Sequence, residues 1–177
     1  MVPAGYQIAR AGPHELADFP AIEVAAAAIF SPEDLTPELA QHSSPLSFFE
    51  HASSAGHFWV ARMLEPLAPV GFALVILLDG SAHIHELDVH PDHGRRGLGR
   101  ALVLHVAQWA KESKYASLTL TTFRHLSWNA PFYSSLGFAE IADQDLGPDL
   151  RAAMAKETEH GLDPIKRVAM GLDLNTF

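Results

Sequence analysis

The chain has 177 residues, a hydrophobic fraction of 48%, a charged fraction of 19% and a formal net charge of −9. These values suit one globular domain burying roughly 70% of its unfolded surface, and the acidic balance argues against nucleic acid, which needs a basic face. There is no cysteine, which excludes disulfides, thiolate metal sites and a thiol-borne acyl intermediate. The opening MVPAGYQIARAG contains no apolar segment of the signal-peptide kind, and no apolar run reaches the length of a membrane span. The expectation is a cytoplasmic protein with no membrane partner.

Residues 6–11 read as a first strand, ended by Gly12-Pro13. Apolar side chains at helical spacing (Leu16, Phe19, Ile22, Ala26, Ile29) predict a helix over 14–30, broken or kinked at Pro20. Ser31-Pro32-Glu33-Asp34 carries an N-cap signal, and one helix or a pair follows over 36–52. Residues 57–64 and 70–78 read as two strands joined through Pro66 and Pro69, the second almost wholly apolar, as a central strand requires. Asp79-Gly80 is a hairpin-turn signal leading into a strand over 83–90. There the side chains alternate, with His83, His85, Leu87 and Val89 on one face and Ile84, Glu86, Asp88 and His90 on the other. A turn around Gly94, Gly97 and Gly99 opens a helix over 98–113, whose stripe carries Leu98, Leu102 and Trp109 beside Ala101, Ala107 and Ala110. Residues 117–123 form a strand, 131–136 a short helix with proline in its first turn, and 138–142 a strand. A helix over 149–160 and a last strand over 166–174 complete the chain. The economical layout is α/β, one mixed sheet with helices on both faces.

The strand–turn–helix over 83–104 is the stretch with chemical content. Main-chain N–H groups in a helix's first turn lack intrahelical partners, and the helix dipole adds partial positive charge, so such a turn holds anions. Gly97 and Gly99 let a phosphate approach the main chain, and Arg95, Arg96 and Arg100 surround the turn with cations. A dinucleotide fingerprint is ruled out because no third glycine follows, and a P-loop because there is no Gly-Lys-Ser/Thr.

Val89-His90-Pro91 followed by Gly94-Arg95-Arg96-Gly97-Leu98-Gly99 resembles the acetyl-CoA pyrophosphate loop of the GNAT acetyltransferase superfamily, whose pattern is Arg/Gln-x-x-Gly-x-Gly/Ala after a strand ending in Val-x-Pro. One departure is that Gly94 stands at the Arg/Gln position, with arginines following at Arg95 and Arg96. The resemblance covers residues 6–174. It implies a single GNAT-like domain over 1–177, with one mixed, mostly antiparallel sheet, a central splayed parallel pair, and helices on both faces. Residues 1–63 would form the acceptor side and 83–112 the acetyl-CoA-binding strand, loop and helix, with the helix over 149–160 an insertion. The main chain of Leu87, Asp88 and Val89 would pair with the pantetheine arm and supply oxyanion donors. Arg95, Arg96, Gly97, Leu98, Gly99 and Arg100 would hold the pyrophosphate.

Acetyl transfer to an amine needs a base to expose the lone pair and an acid for the departing thiolate. The segment Pro131-Phe132-Tyr133 to Gly137-Phe138 resembles the family's Tyr-x-x-x-Gly-Phe signature and implies Tyr133 as that acid. A tyrosine packed on the sheet beside Phe132 and Phe138 is the alternative. His83-Ile84-His85, together with Pro-Phe-Tyr, resembles the serotonin (arylalkylamine) N-acetyltransferase branch, implying His83 and His85 as a proton relay; Glu86 is a rival base. His90 lies on the opposite strand face from the other two histidines, and no tetrahedral ligand set is completed, so no metal is expected. Phe48, Phe49, Phe58 and Trp59 could line an apolar acceptor pocket or belong to the core, and Trp128 could contribute. The resemblance thus implies a small-molecule amine acceptor, arylalkylamines being the sharper form, with polyamines, amino acids and protein lysine as variants. A non-catalytic acyl-CoA sensor is the reading from a different class. Monomer and homodimer both stay open.

Overall fold

In the computed structural model, which describes Met1–Phe177, the strand and helix periods fold in the expected order. They form β1 (Tyr6–Arg10), α1 (Phe19–Ala27), α2 (Pro37–Ala40), α3 (Leu46–Ser54), β2 (Phe58–Leu64), β3 (Leu67–Leu78) and β4 (Ser81–Val89). Then follow α4 (Leu98–Glu112), β5 (Ser117–Phe123), α5 (Ala130–Ser134), β6 (Ala139–Glu140), α6 (Pro148–Glu159) and β7 (Arg167–Asp173), with short 3₁₀ turns between elements. All seven strands belong to one sheet in the order β1-β2-β3-β4-β5-β7-β6. β4 and β5 run parallel, pairing Ala82 with Leu118, His83 with Thr119 and Ile84 with Leu120. The pairs β1–β2, β2–β3, β5–β7 and β6–β7 are antiparallel. This is the mixed α/β sheet expected.

Three local expectations are corrected. The helix predicted over 14–30 is a 3₁₀ turn (Pro13–Asp18) followed by α1, because Pro20 has no N–H to donate and fits only a first turn. α1 stops at Ala27, so Ile29 leaves the apolar stripe and is 50% exposed. The N-cap of α2 is Thr36, whose hydroxyl accepts from Leu39 N–H at 3.4 Å; Ser31 instead donates to the Asp34 carboxylate in the preceding turn. Pro69 lies inside β3 rather than between strands. The register slips there from Ala61↔Gly71 to Arg62↔Pro69, a bulge where a strand tolerates a residue lacking a donor.

Tertiary contacts group the chain into two compact units. The first comprises Met1–Val75 and Glu86–Val106. Its core holds Phe19, Phe49, Phe58 and Phe72, with ring centroids 4.6 to 5.8 Å apart. Burying each such ring stabilises the fold by ~1.5–3 kcal/mol. Phe49 and Phe58 are therefore core residues, and so is Trp59, with the Arg10 guanidinium 3.8 Å over its ring. An acceptor pocket built on those three is not what the fold makes of them. The second unit comprises Ile76–His85 and Ala107–Phe177, and buries Leu118 and Leu120 of β5 with Met170 and Leu172 of β7. The hairpin turn between β3 and β4 has positive φ at Asp79 (51°) and Gly80 (73°). Its Asp79 carboxylate accepts N–H bonds from Asp149 and Leu150, both at 2.9 Å, and so caps α6.

Candidate active site

The glycine turn lies in the first unit, between β4 and α4. Leu98 anchors the helix start at 1% exposure, while Arg95, Arg96 and Arg100 are exposed. Arg95 (φ 55°) and Gly97 (φ 86°) both take left-handed backbone, which bends the chain sharply into the helix. A side chain at Gly97 would find only Pro3 Cγ nearby, at 3.9 Å, so its absence leaves the main chain approachable from outside. Upstream, β4 presents Leu87, Asp88 and Val89, all half-buried. β3 approaches them closely at Gly71, where a Cβ would sit 2.7 Å from Asp88 O and 3.1 Å from Val89 Cα.

The same unit gathers three carboxyl groups. Glu23 of α1 is 6% exposed, and Ser44 donates to it twice, from N–H at 2.9 Å and from the hydroxyl at 2.8 Å. Half-buried Glu86 hydrogen-bonds both Glu23 and Asp88. Burial, then the charge of Asp88 and the bond and charge of Glu23, push Glu86 well above the ordinary carboxylate range. Burial and the charge of Glu23 push Asp88 up to about 7, against the bond from Glu86, which lowers it. The cluster therefore holds Glu86 and Asp88 protonated higher up the pH scale than free carboxyls, and the Asp88 proton comes off near neutrality. Chemically it is a cation-attracting proton acceptor poised for physiological pH.

The remaining predicted residues lie in the second unit. His83 is 2% exposed, with Nδ1 at 2.9 Å from the Thr119 hydroxyl of β5. Burial, with a smaller contribution from the charge of His85, pushes its imidazole down to about 3. It stays neutral at working pH, held by a partner. His85, two residues on, is exposed. Tyr133 is buried in α5, packed edge-on against Phe132 (5.0 Å) and Phe138 (5.8 Å). Both the packing and the catalytic reading of Tyr133 are compatible with that position. Trp128 is 46% exposed.

The family model described as acetyltransferase (GNAT) family matches residues 23–138, well over half of the chain. The chain belongs to the GNAT acetyltransferase family. It is an acyltransferase, and its cofactor is acetyl-CoA. Similar solved structures share the fold at low identity. The PaiA N-acetyltransferase of Thermoplasma acidophilum, in complex with coenzyme A, matches with a TM-score of 0.70 at 14% identity, over 95% of this chain and 98% of that one. The ribosomal-protein-S18-alanine N-acetyltransferase of Escherichia coli gives 0.67 at 20% identity, over 96% and 94%. The N-acetylglutamate synthase of Neisseria gonorrhoeae, complexed with coenzyme A and N-acetylglutamate, gives 0.69 at 17% identity, over 98% of this chain and 36% of that one.

The GNAT cofactor suits the residues present. An open main chain at Gly97, a helix first turn behind it and three exposed guanidinium groups are what a pyrophosphate needs. No helix is long and apolar enough to cross a membrane. Sequence reasoning missed Glu23, Ser44 and Thr119. Glu23 had a signal, since it occupies the buried stripe of α1 (Phe19, Ile22, Glu23, Ala26), where an acid is out of place unless something answers it. Ser44 and Thr119 had none, because each matters only through a partner 21 or 36 residues away.

Proposed function

We propose that this GNAT enzyme transfers acetyl directly from acetyl-CoA to a small primary amine in a ternary complex. The observation that carries this reading is the Glu23–Glu86–Asp88 cluster, in which Asp88 loses its proton near neutral pH. An amine arrives as an ammonium ion, which the carboxyl groups attract. Asp88, ionised above about pH 7, takes the proton and exposes the lone pair. Bound acetyl-CoA supplies the acetyl group as a thioester. Main-chain N–H groups of Leu87, Asp88 and Val89 hold the pantetheine arm and stabilise negative charge developing on the acetyl carbonyl oxygen. Gly97, Leu98 and Gly99, with Arg95, Arg96 and Arg100, hold the phosphates, and Tyr133 gives a proton to the departing sulfur.

A second reading keeps the arylalkylamine acceptor and makes His85 the base. Its exposure on β4 supports it, whereas His83 at about 3 is too weak a base to be its relay partner by protonation. Calorimetry with coenzyme A, then thiol release from acetyl-CoA over tryptamine, phenethylamine, spermidine, amino acids and a lysine peptide, tests both. Turnover on small amines with an acid limb near pH 7 supports the first reading. A strict aryl preference, with the limb abolished by His85→Gln and kept in Asp88→Asn, supports the second. Cofactor binding with turnover on the peptide alone would refute both.

A further inference from the structure

An arginine in a phosphate loop helps most when it is aimed before the ligand arrives, because an exposed side chain surrenders rotamer freedom on binding. Arg96 is tethered in this way. Its Nη1 donates to the Tyr6 phenol oxygen at 3.1 Å and its Nη2 to the Asp92 carbonyl at 3.2 Å. Tyr6 belongs to β1, 90 residues earlier, and its hydroxyl lies 2.9 Å from His93 Nδ1, with the two rings edge-on at 5.8 Å and 87°. All of these groups are in the first unit.

The donor count orients the chain of bonds. Arginine can only donate, so the phenol oxygen accepts from Arg96. With His93 neutral and its proton on Nε2, the phenol proton goes to Nδ1 and the chain of bonds runs in one direction. Burial favours that form, as do the charges of Arg96 and His90, while Asp92 opposes it. A guanidinium has five N–H donors in one plane, and those left over after Tyr6 and Asp92 can serve an oxyanion.

We propose that Tyr6, held by His93, is a positioning residue that aims Arg96 at a phosphate of the bound cofactor. The proposal rests on reading the Gly97–Gly99 turn as the pyrophosphate site. It makes the first strand part of cofactor recognition, a role that no residue of the loop itself discloses.

The test is calorimetric, with coenzyme A and with pantetheine, which lacks the phosphates, on the wild type, Tyr6→Phe, Arg96→Ala and the double variant. Tyr6→Phe keeps the ring and loses the hydroxyl. The expected result is about fivefold weaker coenzyme A binding in Tyr6→Phe and about tenfold or more in Arg96→Ala. Pantetheine binding should be unchanged in both, and the double variant should be no weaker than Arg96→Ala alone. General damage to the fold would weaken pantetheine as well, and that result would overturn the proposal. So would additive losses in the double variant, or Tyr6→Phe binding like the wild type while Arg96→Ala is impaired. A wild type that binds pantetheine and coenzyme A equally would overturn the pyrophosphate reading itself.

Discussion

The replacement of Asp88 by asparagine is the sharpest test of the carboxyl cluster. Asparagine has nearly the same shape and can still accept the bond from Glu86, so packing survives while the charge does not. In the wild type, with Asp88 at about 7, the ionised fraction rises about tenfold between pH 6 and pH 8, and kcat at saturating acetyl-CoA and amine should follow it. In Asp88→Asn the group that titrates there is gone, so the acid limb near pH 7 should disappear and kcat should flatten over that interval. Loss of a general base typically costs about 10²-fold or more, and kcat at pH 8 should fall accordingly. Stability gives an independent reading with a definite sign. The folded value of Asp88 lies above its ordinary 3.8, so ionising it opposes folding as pH rises through 7. Asp88→Asn should therefore gain in melting temperature relative to the wild type from pH 6 to pH 8, even as it loses activity. The assay is continuous thiol release from acetyl-CoA across that range, with thermal melts on the same samples. A variant keeping both the wild-type kcat and its limb near pH 7 would refute the argument that this cluster takes the substrate proton.

Other expectations follow from particular contacts. Tyr133→Phe should lose most of its kcat while coenzyme A affinity, measured calorimetrically, stays within about twofold; an inert substitution would remove Tyr133 as the acid. His83 has a folded value of about 3 against 6.5, so the stability tied to its neutral form is present above pH 6.5 and drains as pH falls toward 3. Urea unfolding should show about 2 kcal/mol lost between pH 7 and pH 5 in the wild type and much less in His83→Asn; equal slopes would contradict its burial as a neutral group. Gly71→Ala would push a Cβ to 2.7 Å from Asp88 O. It should cost ~1–3 kcal/mol and weaken coenzyme A binding together, so unchanged affinity in the folded variant would separate this strand contact from the site. Asp79→Ala removes two bonds to the first turn of α6 and should lower stability by ~1–2 kcal/mol in urea titration with kcat unchanged.

The order of elements was legible in the sequence because side-chain period is a local property. Alternation marked β4, the helical period marked α4, and Asp79-Gly80 marked the hairpin turn. The glycine turn and the aromatic segment around Tyr133 were readable for the same reason, since each is a contiguous motif. Where local signals competed, boundaries moved: Pro20 restarted a helix, Thr36 capped where Ser31 was expected to, and Pro69 was absorbed by a bulge. What sits opposite a given face is a different kind of fact. The alternation put Glu86 and Asp88 on one side of β4, but only the packing of α1 brought Glu23 there, where its charge helps to raise both. The strand pattern put His83 and His85 on one face, and only the parallel pairing with β5 gave His83 to Thr119 and left His85 exposed. Phe49, Phe58 and Trp59 looked equally suited to a pocket and to a core, and the fold spent them on the core. Spacing along a chain sets the direction of each side chain, but the charge, burial and proton affinity of a site depend on groups that meet only when distant segments pack.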